Sequence, residues 1–435
     1  MKLISTALVV VTLMAAASIG RAQLKCADGD WPGWRGPDRT GVSTEKGLLT
    51  DWPKGGPKLL WKAKDLGDGF STPSVAGGKV FMLGTKGNDE YIIALDAKDG
   101  SRLWDTKIGR IGSSQMAAGP RSTPTIDGDK LYAICSDGPL VCVDTDKGEI
   151  KWSKDLKKDF SGEIGMYAYS ESPLIDGDAV ICTPGGTTAT LVALKKTDGD
   201  TIWKAALNLK RGGGGRPGGF GRGGGYTTAA YSSVIAADVD SVHQYIQFLS
   251  GGVVGVSAKE GKLLWHYDHP SPTGIGTVCS TPLFQDDCVF AASGYNTGGG
   301  CAKISKDGDD FTAKEQYFVD DMQNQHGGMV LVDGYIYGTG ARKLFCVEFK
   351  SGKVMWEDSS VGKGSICYAD GHLYVRSEKG PIALVEANPK EYKETGRFNQ
   401  PDRSRQSSWC YPVVAGGKLY LRDGDILLCY DVKAN

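Results

Sequence analysis

The sequence predicts an all-β chain: an eight-bladed β-propeller of four-stranded antiparallel blades, closed by an N-terminal strand that completes the last blade. Three observations predict it. A twelve-residue segment ending in tryptophan recurs along the chain, a hairpin pattern precedes each copy, and the last copy lacks a piece that the beginning of the chain supplies.

The recurring segment is "IALDAKDGSRLW" (93–104), which returns as "VCVDTDKGEIKW" (141–152), "VALKKTDGDTIW" (192–203), "VGVSAKEGKLLW" (254–265) and "FCVEFKSGKVMW" (345–356). Trp104, Trp152, Trp203 and Trp265 follow one another at 48, 51 and 62 residues. The 91 residues from Trp265 to Trp356 hold two units, one of them degenerate and ending near Tyr317-Phe318, and a further degenerate unit ends near Phe398.

The first half of each unit reads as a hairpin. "STPSVAGGKVFML" (71–83), "STPTIDGDKLYAI" (122–134), "ESPLIDGDAVICT" (171–183), "STPLFQDDCVFAA" (280–292), "MVLVDGYIYGT" (329–339), "CYADGHLYVRS" (367–377) and "CYPVVAGGKLYLR" (410–422) each place a two-residue turn between apolar runs. Two further strands, one around "ALD" and one ending in Trp, bring the unit to four. The final unit stops at "LLCYDVKAN" (427–435) without a fourth strand, and "GPKLLW" (56–61) matches "EGKLLW" (260–265). The N-terminal strand therefore closes the ring and removes an open sheet edge.

Each motif residue has a structural reason. A flat indole ending the outer strand can cap the contact with the adjacent blade, its N–H seeking a backbone acceptor in a neighbouring turn. Asp96 and Asp144 can accept bonds from the backbone two residues on. Gly100, Gly148, Gly199, Gly261 and Gly352 supply positive φ.

Residues 1–22 have the layout of an export signal, with Lys2, an apolar run from Ala7 to Ile19 and small residues before the cut, and residues 23–55 form an N-terminal extension to a single domain over 56–435. No segment is long enough to span a membrane, and Cys26 lies outside a lipoprotein box. A net charge of -1 argues against nucleic acid as partner. The stretch "RGGGGRPGGFGRGGG" (211–225) reads as a mobile loop inserted between units. The eleven cysteines form no Cys-x-x-Cys or haem motif and are expected to act chiefly as small buried hydrophobes, notably Cys142, Cys346 and Cys429, which share one repeat position with Ala94 and Ala193. "HYDH" (266–269) follows Trp265 where other units carry plain polar turns, so no metal is expected there.

The "ALD"-like strand, polar turn, Gly and aliphatic-Trp pair resemble the PQQ-like repeat over about residues 56–435, and "WPGWRGPDRTGVS" (31–43) is similar to the opening of exported bacterial members of that family. The resemblance implies either of two activities. One is that of quinoprotein alcohol dehydrogenases, which use PQQ with calcium held by Glu, Asn and Asp. The other is that of the non-catalytic outer-membrane-protein assembly propeller. Glu171 resembles the metal-binding Glu, but no Cys-Cys pair accompanies it.

By register, Ser71, Arg121, Tyr169, Glu171, Tyr231, Cys279, His326, Cys367, Trp409 and Cys410 begin the innermost strands around one mouth of the axial channel. Arg121, Tyr169, Glu171, His326 and Trp409 are the candidate binding residues, and no catalytic or metal residue is assigned. The expectation is an exported, periplasmic or secreted, monomeric binding or scaffold protein without a cofactor, taking a protein, peptide or glycan partner. The alternatives are a PQQ-dependent alcohol or sugar dehydrogenase and a cofactor-free enzyme using Arg121, Glu171 and His326.

Overall fold

The computed structural model describes residues 24–112, 119–207, 209, 229, 231–271 and 277–434. The export signal and the loop 211–225 expected from the sequence lie outside the described residues. The chain forms eight four-stranded antiparallel sheets, each the blade of a propeller. Blade 1 runs through Ser74–Ala76, Lys79–Lys86, Asp89–Asp96 and Arg102–Arg110, and the next six blades repeat this order out to Phe398. Blade 8 combines Val413–Ala415, Lys418–Asp423 and Ile426–Asp431 with Lys58–Ala63, whose register pairs Lys58 with Asp431 and Trp61 with Cys429. The expected closure is therefore the one observed. Arg422 reinforces the seam: buried in blade 8, it donates through Nη1 to the carbonyls of Ser71 and Leu83, and through Nη2 to that of Gly67.

The repeat residues interlock neighbouring blades. Trp104 lies across the sheet from Ala94, Trp152 from Cys142, Trp356 from Cys346 and Trp61 from Cys429, so the small residue leaves room for the ring. Four of the rings also reach the next blade. Trp61, Trp104, Trp152 and Trp203 donate their indole N–H to the carbonyls of Ala97, Thr145, Lys196 and Ala258 at 3.3, 3.2, 3.0 and 2.9 Å. Trp265 departs from this pattern and donates to Gln244 Oε1 at 2.7 Å.

The turn glycine does more than adopt positive φ. Gly100, at φ +75°, lies so close to the Trp61 ring that a Cβ would sit 2.5 Å from Cε3. Gly148 meets Trp104, Gly199 meets Trp152 and Gly261 meets Trp203 in the same way. The glycine of one blade is thus the seat for the tryptophan of the blade before it.

Residues 24–55 are built into the ring. Blade 7 has Gly396 where other blades carry the outer aromatic, and Trp52 occupies the vacancy, 5.8 Å from the Tyr374 ring and 5.2 Å from Phe398. Trp61 and Tyr420 are 5.9 Å apart in the equivalent pair of blade 8. The segment Trp31–Ser43 crosses the propeller axis. Trp31 N donates to Val75 O of blade 1 at 2.7 Å, and Pro32 O accepts from Ile126 N of blade 2 at 2.7 Å. Arg39, buried, donates to the carbonyls of Ser172 and Pro173 in blade 3 at 2.7 and 2.8 Å. Arg35, also buried, donates to Met329 O of blade 6, and Ser43 bonds Tyr368 O and Val414 O of blades 7 and 8.

Candidate functional site

Because the N-terminal segment plugs one end of the axis, the other end is a blind pocket. It encloses about 740 Å³, part of it open to solvent, and Trp34 of the plug is among its lining residues. Trp34 is fixed by an indole bond to Thr281 Oγ1 at 2.9 Å and an edge contact with Tyr411 at 4.7 Å.

The wall follows from strand periodicity. Phe70, Arg121, Ser170, Cys279, His326 and Trp409 all line the pocket. Each stands one residue before the position held by Ser71, Ser122, Glu171, Ser280, Gly327 and Cys410. In an extended chain successive side chains point to opposite sides, so the two sets face different ways. The second set turns into the blades. Ser71 Oγ accepts from Leu83 N at 3.0 Å, and Glu171 Oε2 accepts from Thr183 N at 2.7 Å at the same offset.

Arg121, His326 and Trp409 line this one pocket, together with Tyr231 and Cys279. Tyr169 and Glu171 are not in the lining. Tyr169 packs in the core between blades 2 and 3, donating its hydroxyl to Pro184 O at 3.0 Å. Glu171 is buried, with Gln247 Nε2 3.3 Å from its second oxygen, and burial raises its pKa to about 7 against the pull of the Thr183 bonds and Arg39. His266 and His269 of "HYDH" have separate partners, Gly251 O and Glu315.

The pocket is aromatic and nearly neutral. Trp34, Phe70, Tyr167, Tyr231, Trp409 and Tyr411 are among its lining residues, with Phe70 and Trp409 4.8 Å apart. The guanidinium carbon of Arg121 lies 5.1 Å from the Phe70 ring and 5.3 Å from the Tyr167 ring, and Nη1 donates to Gly119 O and Tyr167 O. Rings and carbonyls hold the cation in place. Burial, followed by the charge of Lys363, lowers the pKa of His326 to about 3, so its imidazole is neutral. The Nε2 of His326 lies 3.8 Å from Glu378 Oε2, beyond hydrogen-bond length, and it has no hydrogen-bond partner among the described residues. Burial raises the pKa of the Cys279 thiol, leaving it protonated and unreactive.

Sequence reasoning missed Trp34, Phe70, Tyr167, Thr277, Gln325 and Tyr411. The alternation relative to the Ser-Thr-Pro pattern is the signal that picks out Phe70, and Tyr411 follows Trp409 by the strand period of two.

The lining does not suit a calcium-bound quinone. Calcium takes six to eight oxygens, usually including carboxylates. Among the described residues, no Asp or Glu lines this pocket, and Glu171 is committed to Thr183 and Gln247. Among the same residues, no group of three or more His, Cys, Asp or Glu side chains could hold a metal ion.

A family model described as outer membrane protein assembly factor BamB, built of PQQ-like repeats, matches residues 27–185 and, overlapping these, 89–358. The chain belongs to this family. It is 24% identical over 384 residues to the outer membrane protein assembly factor BamB of Yersinia pestis, covering 84% of this chain and 86% of that one. A shorter match, 28% identical over 179 residues, is to quinohemoprotein alcohol dehydrogenase ADH-IIG of Pseudomonas putida; it covers 39% of this chain and 24% of the dehydrogenase. The crystal structure of the quinohemoprotein alcohol dehydrogenase of Comamonas testosteroni superposes with a TM-score of 0.64 at 13% identity, covering 94% of this chain and 82% of that one. That likeness is one of fold. Among the described residues, no helix is long and apolar enough to cross a membrane.

Proposed function

We propose that this chain is an exported, periplasmic binding or scaffold propeller that receives its partner at the open mouth and axial pocket and carries out no chemistry of its own. The observation that carries this reading is the pocket itself: a blind, aromatic chamber whose titratable groups are poor catalysts. Its histidine stays neutral and lacks a hydrogen-bonded orienting partner, its thiol is protonated, and its described lining holds no carboxylate to act as base. The nearly full-length similarity to an outer membrane protein assembly factor supports the same reading.

The quinoprotein reading has the fold and the partial similarity behind it, and reconstitution separates the two. The mature protein is incubated with PQQ and calcium and assayed for dye reduction with primary alcohols and aldoses. The scaffold reading predicts no reduction above the apoprotein. Stoichiometric PQQ binding with alcohol-dependent reduction would overturn it.

A further inference from the structure

We infer that Cys288 and Cys301, on neighbouring strands of blade 5, are a disulfide-forming pair, a thiol modification site set into the wall of the ring.

The pairing starts from a difference between blades. In blades 2, 6 and 8 the cysteine opposite the outer aromatic, Cys142, Cys346 or Cys429, also lies directly across from a tyrosine, Tyr132, Tyr337 or Tyr420. Each of these thiols hydrogen-bonds its tyrosine. Blade 5 has Cys301 in the same place, opposite the outer aromatic Tyr317, but Phe290 stands across from it and has no hydroxyl. The Cys301 thiol hydrogen-bonds Tyr317 and Cys288 instead. Cys288 is two residues before Phe290, where blades 2, 6 and 8 carry Lys130, Tyr335 and Lys418. Residues directly opposite one another share a face of the sheet, as do residues two apart on one strand. Phe290 faces Cys301, so Cys288 and Cys301 stand on the same face, one residue pair out of step. Cys288 also packs against the apolar cluster that contains Cys301.

The two thiols are free in this structure, and their surroundings give them different roles. Cys301 is buried, which raises its pKa to about 12. Cys288 is partly exposed, and the charge of Lys303, directly across from it, offsets part of the rise that burial causes. Cys288 is therefore the thiol that an incoming disulfide reaches first. Its thiolate attacks one sulfur of that disulfide and expels the other as a thiolate. Cys301 then attacks the Cys288 sulfur, which closes the Cys288–Cys301 bond and releases the remaining half. The protein thiols lose two electrons and two protons, and the external disulfide becomes two thiols. An exported chain meets such oxidants, because disulfides form and persist outside the cytosol. The bond would staple the two middle strands of blade 5 beside Tyr317, whose hydroxyl donates to Phe349 O of blade 6.

The test treats the full mature chain with about 5 mM oxidised glutathione, quenches with acid, alkylates the remaining thiols in denaturant and maps the peptides by mass spectrometry. Expected is a Cys288–Cys301 disulfide in more than about half of the chains, with the other cysteines alkylated. Cys301→Ala, which introduces the residue that Ala94 and Ala193 supply in blades 1 and 3, should halt the reaction at a glutathione adduct on Cys288. Cys288→Ser should leave Cys301 without an adduct, since the buried thiol is not reached directly. The wild-type map stands if a variant fails to fold. A glutathione adduct on wild-type Cys288 that does not go on to the disulfide, Cys288 joined to a different cysteine, or both thiols still free would each overturn the proposal. The axial pocket and its partner play no part in these outcomes.

Discussion

Gly100→Ala probes the interlock between blades at the seam where the ring closes. Gly77→Ala is its control, because Gly77 also has positive φ, +56°, but faces open space, with nothing within 4 Å of where a Cβ would stand. Both substitutions force an L-residue into the left-handed region, at about 1–2 kcal/mol. Only Gly100→Ala adds a methyl that would lie 2.5 Å from Cε3 and 2.9 Å from Cδ2 of Trp61. The ring must withdraw, which breaks its 3.3 Å bond to Ala97 O, worth about 1 kcal/mol, and uncovers part of a side chain only 9% exposed. Complete loss of a buried Trp costs about 3–5 kcal/mol, so partial withdrawal should make Gly100→Ala about 2–3 kcal/mol worse than Gly77→Ala. Urea unfolding followed by circular dichroism reads the difference. In a Trp61→Ala background the excess should vanish, since the two residues act as one contact. Losses at Gly100 and Gly77 that agree within about 0.5 kcal/mol would refute the seating of one blade's tryptophan on the next blade's glycine.

Trp52→Ala should destabilise the propeller by about 3–5 kcal/mol in the same assay, as loss of a core tryptophan does, although Trp52 lies outside the repeats. A loss below about 1 kcal/mol would mean that Trp52 does not complete blade 7. Glu171→Gln tests the buried carboxylate. The native pKa is raised to about 7 from an ordinary 4.5, so the unfolded chain loses its proton first, and this group lowers stability as pH rises between those values. The variant should therefore match wild type near pH 4.5 and exceed it by up to about 3 kcal/mol at pH 8. A variant less stable than wild type at pH 8 would show that the ionised carboxylate is favourable in the fold.

The blades were legible because each is local: four short strands, a two-residue turn and a tryptophan recur within about fifty residues of chain. Closure was legible for the same reason, since "GPKLLW" is a displaced copy of a repeat strand. The plug was not. Trp34, Arg35 and Arg39 bond to Thr281, Met329, Ser172 and Pro173, partners far along the chain and held by different blades, and no periodicity joins them. Trp52 was hidden because it restores a repeat position from outside the repeat. The pocket was legible in part. Register locates the mouth, but nearness to the strand start does not separate Glu171 from Arg121, and the face each presents depends on a one-residue difference in phase.

Hydrogen exchange of the intact protein tests the central claim most directly: that the N-terminal segment both completes the last blade and closes one end of the axis. The amides of Trp31 and Ser43 are bonded to Val75 O and Tyr368 O at 2.7 and 2.8 Å, and Lys58–Ala63 pairs with Ile426–Asp431. Peptides covering residues 29–43 and 56–63 should exchange as slowly as the blade 1 strand Lys79–Lys86, because all three open only when the ring opens. Exchange of the two N-terminal peptides at the rate of exposed turns, with the blade strands still protected, would contradict it.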